Sequence, residues 1–341
     1  MSQSRKRFTL LASCTIAIVL LLASGMAELV VRIIGGSPAA LLYFGSFDDH
    51  QTDWHVRYGV TEGKFRVNCA NPSIAARRKI AVIGDSYVFG QGVPDCQDLV
   101  SQIGKQMPDA AFTNLGMIGI GVEQYQLVVR DLLSRDYTDV IVLFYGNDIS
   151  EVVERKSVFS ALADASSALS LIRKINFMLT VRAFKNDPSN WEAGDAEDPI
   201  FNNSRLILRS DPRYFLSVAD PGEQKIRVFS EKFRVLIEQI SRSVPREHIW
   251  IAMVPEASTV SEQTRLFQAS IGAELPKFGF PGKGYQTVQS LAKTEGVQFI
   301  DLFPSFSQRG SDLYFPHDFH WSPSGHALAA QLTSEALIES K

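Results

Sequence analysis

The segment KIAVIGDSYVFG, residues 79–90, decides how the rest of the chain is interpreted. It begins with an apolar run, Ile80 to Ile83, which Gly84-Asp85-Ser86 follows directly. Apolar residues then recur at helical spacing between residues 99 and 107, as on the buried face of an amphipathic helix. Together, these two stretches predict a buried strand, a tight loop that carries a serine, and a helix.

The same unit of strand, loop and helix recurs toward the C-terminus. Amphipathic stretches predict further helices, and Ser322-Pro323 begins the last of them with an N-cap residue and a proline at the first helical position. Because parallel neighbours require crossover connections, the alternation predicts an α/β fold, a three-layer α/β/α sandwich around a five-stranded parallel sheet. The predicted strands lie at 80–83, 112–115, 140–144, 249–254 and 297–302, and those at 80–83 and 140–144 are short apolar runs.

Composition excludes several classes of protein. With 45% hydrophobic and 21% charged residues among 341, the chain suits a folded core and not a disordered or fibrous state. A net charge of −3 offers no cationic surface for phosphates, so we expect no nucleic-acid partner. Three cysteines are too few for a disulfide scaffold and lack the spacing of a zinc site. Cys69 and Cys96 either pair in an oxidising compartment or remain partly buried thiols.

The N-terminal segment, residues 1–36, differs from this average. A basic cluster at residues 5–7 precedes twenty uncharged residues, 8–27, which as a helix would span about 30 Å of hydrocarbon. The cluster predicts a cytoplasmic N-terminus, so we expect a single-pass transmembrane signal-anchor helix in the inner (cytoplasmic) membrane and an extracytoplasmic, periplasmic body. A cleaved signal peptide is the alternative, because Gly25-Met26-Ala27 offers small residues suited to cleavage.

Changes in pattern suggest two further boundaries. Residues 37–77 show no sustained period and predict an irregular lead-in that packs on the body. The main domain would comprise residues 78–341, with an insertion at about 149–222 that interrupts the alternation of strands and helices. We interpret the insertion as packed helix, and a lid over the site is the alternative.

Ser86 is the first candidate for chemistry. A serine on a tight turn at a strand end can present its hydroxyl above the sheet, close to the N–H groups of the following helix. A simple N-cap is the alternative interpretation. The segment is not the Gly-x-Ser-x-Gly elbow of α/β-hydrolases, because Val88 occupies the position of the second glycine.

Residues 114–121, NLGMIGIG, follow the second predicted strand. Their glycines are compatible with a backbone that approaches a ligand closely, or with an ordinary turn. The glycine spacing is not that of a dinucleotide-binding loop, and the chain contains no phosphate-loop Gly-Lys-Ser/Thr. We therefore expect neither a nucleotide nor a cofactor.

Two more polar blocks lie nearer the C-terminus. Gly146-Asn147-Asp148 follows the third strand, where the Asn147 amide either forms an Asx-turn or donates a hydrogen bond to an oxyanion. Asp318 and His320 stand two apart before the last helix, so the carboxylate can fix the tautomer of a neutral imidazole. A metal cluster of His317, His320 and His326 is the competing interpretation of this region, and the joint pattern of the four blocks disfavours it.

Taken together, the four blocks resemble the SGNH (GDSL-type) hydrolase family. Gly-Asp-Ser, Asn-x-x-x-x-Gly, Gly-Asn-Asp and Asp-x-His occur in the order and at the separations found in that family, and the match covers about residues 78–340. The resemblance implies a flavodoxin-like fold. Two positions depart from the family pattern: Tyr87 replaces an aliphatic residue, and Asp-x-His is one residue shorter than the common Asp-x-x-His.

The resemblance also implies an activity and the roles of the site residues. Ser86 would be the nucleophile, His320 the general base and Asp318 the orienting acid, with no metal. The oxyanion hole would consist of the Ser86 and Gly119 N–H groups and the Asn147 amide.

The expected function is that of a membrane-anchored serine esterase. It would act on O-acyl groups, chiefly O-acetyl, of a cell-envelope or exported polysaccharide, and a lipid or other ester substrate is the alternative. An O-acetyltransferase with the same triad and a catalytically silent polysaccharide-binding or assembly protein are the alternatives. Tyr87, Phe89 and Trp321 are compatible with contacts to a sugar or an acyl group.

Overall fold

The computed structural model of the protein describes residues 3–35, 47–59, 66, 68–69, 76–133, 136–153, 157–185, 191–193 and 199–339. The chain divides into two compact units. The first contains Met1–Leu42 and Lys156–Arg182, and the second contains Tyr43–Arg155 and Ala183–Lys341. The chemistry-bearing blocks of the sequence all lie in the second unit.

A five-stranded sheet forms the centre of the second unit. Its strands are β3 (Arg78–Gly84), β4 (Ala110–Gly116), β5 (Asp139–Phe144), β8 (Ile249–Met253) and β9 (Gln298–Ile300). They lie in the order β4-β3-β5-β8-β9, and every neighbouring pair is parallel. The prediction of an α/β fold with a five-stranded parallel sheet is confirmed.

The strands are apolar because helices cover both faces of the sheet. All six residues of β5 and all five of β8 are buried, as expected where neither face meets water. In the second unit, the described helices are α2 (Ser86–Phe89), α3 (Leu99–Gln106), α4 (Val122–Leu132), α5 (Asn147–Ser150), α8 (Asn203–Ser210), α9 (Tyr214–Ala219), α10 (Glu223–Ser241), α11 (Ala257–Val260), α12 (Glu262–Ser270), α13 (Gly282–Thr294), α14 (Phe303–Arg309) and α15 (Pro323–Glu339). One helical layer contains α3, α14 and α15, and the other contains α4, α10 and α13.

The second unit also contains short antiparallel pairs that the sequence pattern did not indicate. In the region interpreted as an irregular lead-in, β1 (Phe47–His50) pairs with β2 (His55–Tyr58). Burial alternates along β2, but a strand of four residues is too short for a recognisable period. A second pair, β6 (Trp191–Ala193) with β7 (Pro199–Phe201), lies within the predicted insertion.

The first unit is helical where the structure describes it. It contains α1 (Gln3–Gly35), α6 (Val158–Ala165) and most of α7 (Ser167–Lys185). The Glu28 carboxylate of α1 accepts hydrogen bonds from the Ser167 and Ala168 N–H groups at 2.9 and 3.0 Å, which satisfies donors of the first turn of α7.

The predicted membrane span, residues 8–27, belongs to α1. The side chains of residues 8–14 and 17 lie outside those that the structure describes. Across the part of the chain that is described, no helix is both long enough and apolar enough to cross a bilayer.

Candidate active site

Strand order brings three of the polar blocks to one edge of the sheet. β3 lies between β4 and β5, and Gly84 at the end of β3 is opposite Gly116 at the end of β4. Ile83 of β3 is opposite Val142 of β5. The loop with Ser86 therefore begins between the loops that carry Gly119 and Asn147, at the carboxyl ends of the strands where such sheets bind ligands.

Ser86 is the first residue of the buried one-turn helix α2. The Asp85 carboxylate caps this helix by accepting a hydrogen bond from the Tyr87 N–H at 3.0 Å. A β-carbon on Gly116 would lie 2.3 Å from the backbone nitrogen of Phe89, so only glycine allows β4 to approach α2 this closely. Asn114 fixes the same contact by donating to the Val88 carbonyl at 2.9 Å and accepting from the Gly116 N–H.

His320 lies in a loop that is closed by hydrogen bonds between its own backbone groups. The Phe315 N–H donates to the His320 carbonyl at 3.0 Å, and an antiparallel bridge joins Tyr314 to Trp321. The loop continues directly into α15, as the Ser322-Pro323 signal predicts. The position of the imidazole is thus set by a closed turn immediately before a long helix.

The structure brings Ser86, His320 and Asp318 together. The Ser86 Oγ lies 2.8 Å from His320 Nε2, and His320 Nδ1 lies 2.5 Å from Asp318 Oδ1. The same carboxylate oxygen also accepts from the His320 backbone N–H at 2.8 Å, so the short Asp-x-His spacing still allows the carboxylate to reach the ring. All three residues are buried.

The electrostatic surroundings favour a basic imidazole. Burial disfavours the charged ring, yet the negative charge and the hydrogen bond of Asp318 raise the pKa of His320 above its usual value. With the Asp318 carboxylate accepting the proton on Nδ1, the lone pair of Nε2 faces the Ser86 hydroxyl. This arrangement is suited to removing the proton of the serine.

The predicted oxyanion donors occupy the flanking loops. Asn147 is the first residue of α5, is partly exposed, and its side-chain NH₂ has no hydrogen-bond partner within the described ranges. Gly119 has a positive φ of 73°, is exposed, and nothing lies within 4 Å of where a β-carbon would be. The structure gives no contact between Gly119 and Ser86, so its place in the oxyanion hole stays a prediction.

Comparison with known proteins gives one family match, over the C-terminal part of the chain. Residues 247–341, which include the Asp318-x-His320 block, match a family model described as "SGNH hydrolase-like domain, acetyltransferase AlgX". Over these residues the chain is similar to the SGNH hydrolase-like domain of that model. No curated protein sequence matches the chain.

Solved structures with similarity to this chain include those of a lipase, a lipolytic protein and an esterase. A lipase/acylhydrolase from Enterococcus faecalis is 16% identical, with a TM-score of 0.42, and the match covers 76% of this chain and 95% of that one. A G-D-S-L family lipolytic protein from Veillonella parvula is 13% identical, with a TM-score of 0.42 and coverage of 76% and 98%. An acetylxylan esterase from Geobacillus stearothermophilus is 13% identical, with a TM-score of 0.40 and coverage of 77% and 94%.

The aromatic residues near Ser86 and His320 pack inside the protein. Tyr87 is 1% exposed, Phe89 3% and Trp321 0%, so their rings pack in the core, and contact of these rings with a sugar or an acyl group stays a prediction. Tyr87 instead donates its hydroxyl hydrogen bond to the Phe319 carbonyl at 2.6 Å. Its ring lies 5.0 Å from that of Trp321.

Buried carboxyl groups beside the catalytic loops are a feature that the sequence pattern did not indicate. Burial raises the pKa of Asp85 to about 6. Burial, and then the charge of Asp85, raise the pKa of Asp148 well above its usual value. Asp148 accepts hydrogen bonds from the Tyr145 N–H at 2.9 Å and the Tyr125 hydroxyl at 3.1 Å, which holds the start of the Asn147 loop against α4.

The lead-in contributes to the site as well. The turn between β1 and β2 places the Trp54 ring edge-on to the His320 ring, with 6.1 Å between centroids, and against Phe315 at 4.7 Å. The neighbouring Asp53 binds His317. No periodicity or motif marks these two residues in the sequence, because their partners lie more than 250 positions away.

The three histidines of the competing metal interpretation have separate partners. His317 binds Asp53, His320 lies between Ser86 and Asp318, and burial lowers the pKa of His326 to about 3. Among the residues that the structure describes, no group of three or more His, Cys, Asp or Glu side chains is arranged to hold a metal ion.

Proposed function

We propose that the protein is a serine esterase that acts on O-acyl groups, chiefly O-acetyl groups, of a polysaccharide outside the cytoplasm. The observation that carries this proposal is the 2.8 Å contact between Ser86 Oγ and His320 Nε2, with Asp318 bound to the other ring nitrogen. A serine hydroxyl, an imidazole and a carboxylate in this order are the groups that nucleophilic acyl transfer requires.

The proposed reaction has two steps. His320 Nε2 takes the proton of Ser86 as the Oγ attacks the ester carbonyl, and the oxyanion receives hydrogen bonds from the Ser86 and Gly119 N–H groups and the Asn147 amide. His320 then gives the proton to the leaving sugar oxygen, which leaves an acyl-serine. A water molecule, deprotonated by His320, attacks this ester and releases the acid and the free serine.

Exposed aromatic rings support a carbohydrate substrate. Phe278 and Phe280, in the loop between α12 and α13, are 46% and 49% exposed. Lys277 Nζ lies 3.6 Å from the centre of the Phe280 ring and holds its orientation. The loop follows β8 and α12, so it lies beyond the carboxyl end of the sheet, where a polymer could stack on these rings.

An O-acetyltransferase is the second candidate. The matched family model is described as an acetyltransferase, and the proposed triad would serve either reaction. The two activities differ only in whether water or a sugar hydroxyl attacks the acyl-serine. A silent binding protein would instead retain the fold without a reactive serine.

Labelling with a fluorophosphonate probe tests whether Ser86 reacts. We expect labelling of the wild type and of Ser270→Ala, a substitution at an exposed serine at the end of α12, and none of Ser86→Ala. Equal labelling of Ser86→Ala and the wild type would remove Ser86 as nucleophile. Acetate release from acetylated glycans, measured with and without an unacetylated oligosaccharide acceptor, then distinguishes hydrolysis from transfer.

We also propose that the catalytic unit is extracytoplasmic and attached to the inner membrane by residues 8–27. A disulfide between Cys69 and Cys96, with Cα atoms 5.0 Å apart, supports an oxidising compartment. The membrane anchor itself rests on the uncharged run and the basic cluster of the sequence. Alkaline extraction of membranes tests the anchor, and thiol alkylation of the protein with and without reductant tests the disulfide. Release of the protein from membranes at alkaline pH would contradict the anchor. Alkylation of Cys69 without reductant would contradict the disulfide.

A further inference from the structure

A second histidine–aspartate pair lies beside the triad. His317 Nδ1 is 2.7 Å from Asp53 Oδ1, and the His317 backbone N–H donates to Asp53 Oδ2 at 2.8 Å. His320 contacts Asp318 through the same two groups, its backbone N–H and its Nδ1. The chain therefore fixes two imidazoles in one loop, three residues apart, each by a carboxylate.

The two pairs differ in where the free ring nitrogen lies. The His317 side chain is 44% exposed, whereas that of Asp53 is only 6% exposed. His320 Nε2 contacts Ser86, but His317 Nε2 has no partner among the described residues. Burial raises the pKa of Asp53, and the hydrogen bonds from His317 oppose that change. The carboxylate that orients the His317 ring is therefore buried, whereas the ring itself is open to solvent.

The position of His317 places it at the rim of the proposed active site. Its loop continues into Asp318 and His320, and Trp54, next to Asp53, packs against the His320 ring. On the other side, the Phe267 ring of α12 meets the His317 ring edge-on, with 4.8 Å between centroids. The His317 ring is thus held between Asp53, whose neighbour Trp54 packs on His320, and Phe267 of α12.

We propose that His317, oriented by Asp53, binds a hydroxyl group of the carbohydrate part of the ester substrate. This inference rests on the proposed function and adds a specificity-determining residue to it. Because Asp53 occupies Nδ1, Nε2 is the ring nitrogen that remains to form a hydrogen bond with a sugar hydroxyl. A small ester without such hydroxyls gains nothing from this contact.

The test compares two substrates, p-nitrophenyl acetate and a partially O-acetylated xylo-oligosaccharide, with the full-length protein. The measured quantity is selectivity, the ratio of kcat/KM for the oligosaccharide to kcat/KM for p-nitrophenyl acetate. His248→Ala is the matched control: His248 is 48% exposed and binds Asp139 through Nδ1 at 3.1 Å, but it lies at the amino end of β8, away from the site.

We expect His317→Ala to lower the selectivity at least tenfold, mainly through a higher KM for the oligosaccharide. Asp53→Asn leaves the imidazole in place but weakens its orientation, so we expect a smaller loss in the same direction. His248→Ala should keep the wild-type ratio. An unchanged ratio in His317→Ala would overturn the inference. An equal loss of kcat/KM on both substrates would also overturn it, because His317 would then only support the loop that carries His320. Failure of the proposed function is a separate result, in which wild-type hydrolysis of p-nitrophenyl acetate does not depend on Ser86.

Discussion

The hydroxyl of Tyr87 donates a hydrogen bond to the carbonyl oxygen of Phe319, 2.6 Å away. Tyr87 follows Ser86 in the chain, and Phe319 precedes His320, so one bond joins the helix of the proposed nucleophile to the loop of the proposed base. The family pattern has an aliphatic residue at the position of Tyr87. The tyrosine supplies a connection that an aliphatic side chain lacks.

Tyr87→Phe should weaken this connection without changing the packing of the ring. It leaves the buried Phe319 carbonyl without its donor, so we expect the free energy of unfolding to fall by about 1–2 kcal/mol. A less well fixed His320 should also lower kcat by about threefold to tenfold. Urea unfolding and steady-state hydrolysis of p-nitrophenyl acetate measure the two effects.

Tyr285→Phe is the matched control for that experiment. The Tyr285 hydroxyl donates to Asp301 at 2.8 Å, directly after the edge strand β9. We expect a similar loss of stability with kcat within twofold of the wild type. If the two variants have the same kcat, the bond from Tyr87 to Phe319 has no part in positioning His320.

Asn147→Ala should remove one donor from the oxyanion hole. We expect kcat to fall by about 10²–10³, the usual loss for one such donor, while the thermal unfolding midpoint changes little, because the side-chain NH₂ of Asn147 has no partner in the described protein. Steady-state kinetics and circular dichroism are the measurements. A wild-type kcat in a folded Asn147→Ala variant would place the amide outside the oxyanion hole.

The activity should rise with pH through the pKa of His320, because only the neutral imidazole can take the serine proton. Burial opposes the charged ring, but Asp318 raises the pKa of His320, so this rise should lie above the pH expected for an unperturbed histidine. Asp318→Asn removes the negative charge. The rise should then move to lower pH, with a loss of up to about 10⁴ in kcat, as in other Ser-His-Asp enzymes. A pH profile of kcat/KM that does not move in Asp318→Asn would contradict this assignment.

Glu256 should make the protein less stable as the pH rises. Burial raises the pKa of Glu256 to about 7, although the hydroxyl of Tyr145 donates to its carboxylate at 2.5 Å. A folded-state pKa above the unfolded value favours folding while the group is protonated. That contribution is complete below about pH 4.5 and is lost by about pH 7, a change of about 3 kcal/mol in the free energy of unfolding.

Glu256→Gln should remove that part of the pH dependence. The amide can still accept the Tyr145 hydrogen bond but does not titrate. Urea unfolding at pH 5 and pH 8 should show a smaller difference in the variant than in the wild type. Glu262→Gln, at the exposed first position of α12, is the control that should retain the wild-type difference. Equal pH dependence in all three proteins would refute the role of Glu256.

Much of the fold could be predicted because its signals are local. The central strands β5 and β8 are almost entirely apolar, since helices cover them on both faces, and such a run is visible without knowledge of its neighbours. The β1–β2 hairpin gave no such signal, because each strand has four residues and burial alternates along β2. Asp53 and Trp54 were missed because their partners lie more than 250 positions away.

What the sequence by itself determined is which polar residues follow strand ends: Ser86 after β3, Asn147 after β5, and Asp318 with His320 before α15. The order of the hydrogen-bonded strands and the packing of the helices decided which of these residues meet. Ser86 and His320 are 234 positions apart, and they meet because β3 lies between β4 and β5 and the helical layers return the chain to the same edge. A distance of 2.8 Å over that separation depends on the packing of the whole unit, as do the Tyr87–Phe319 and Asp53–His317 contacts. The local sequence shows which residue types follow each strand or precede each helix, whereas only the packed chain determines which of their atoms lie within bonding distance of one another.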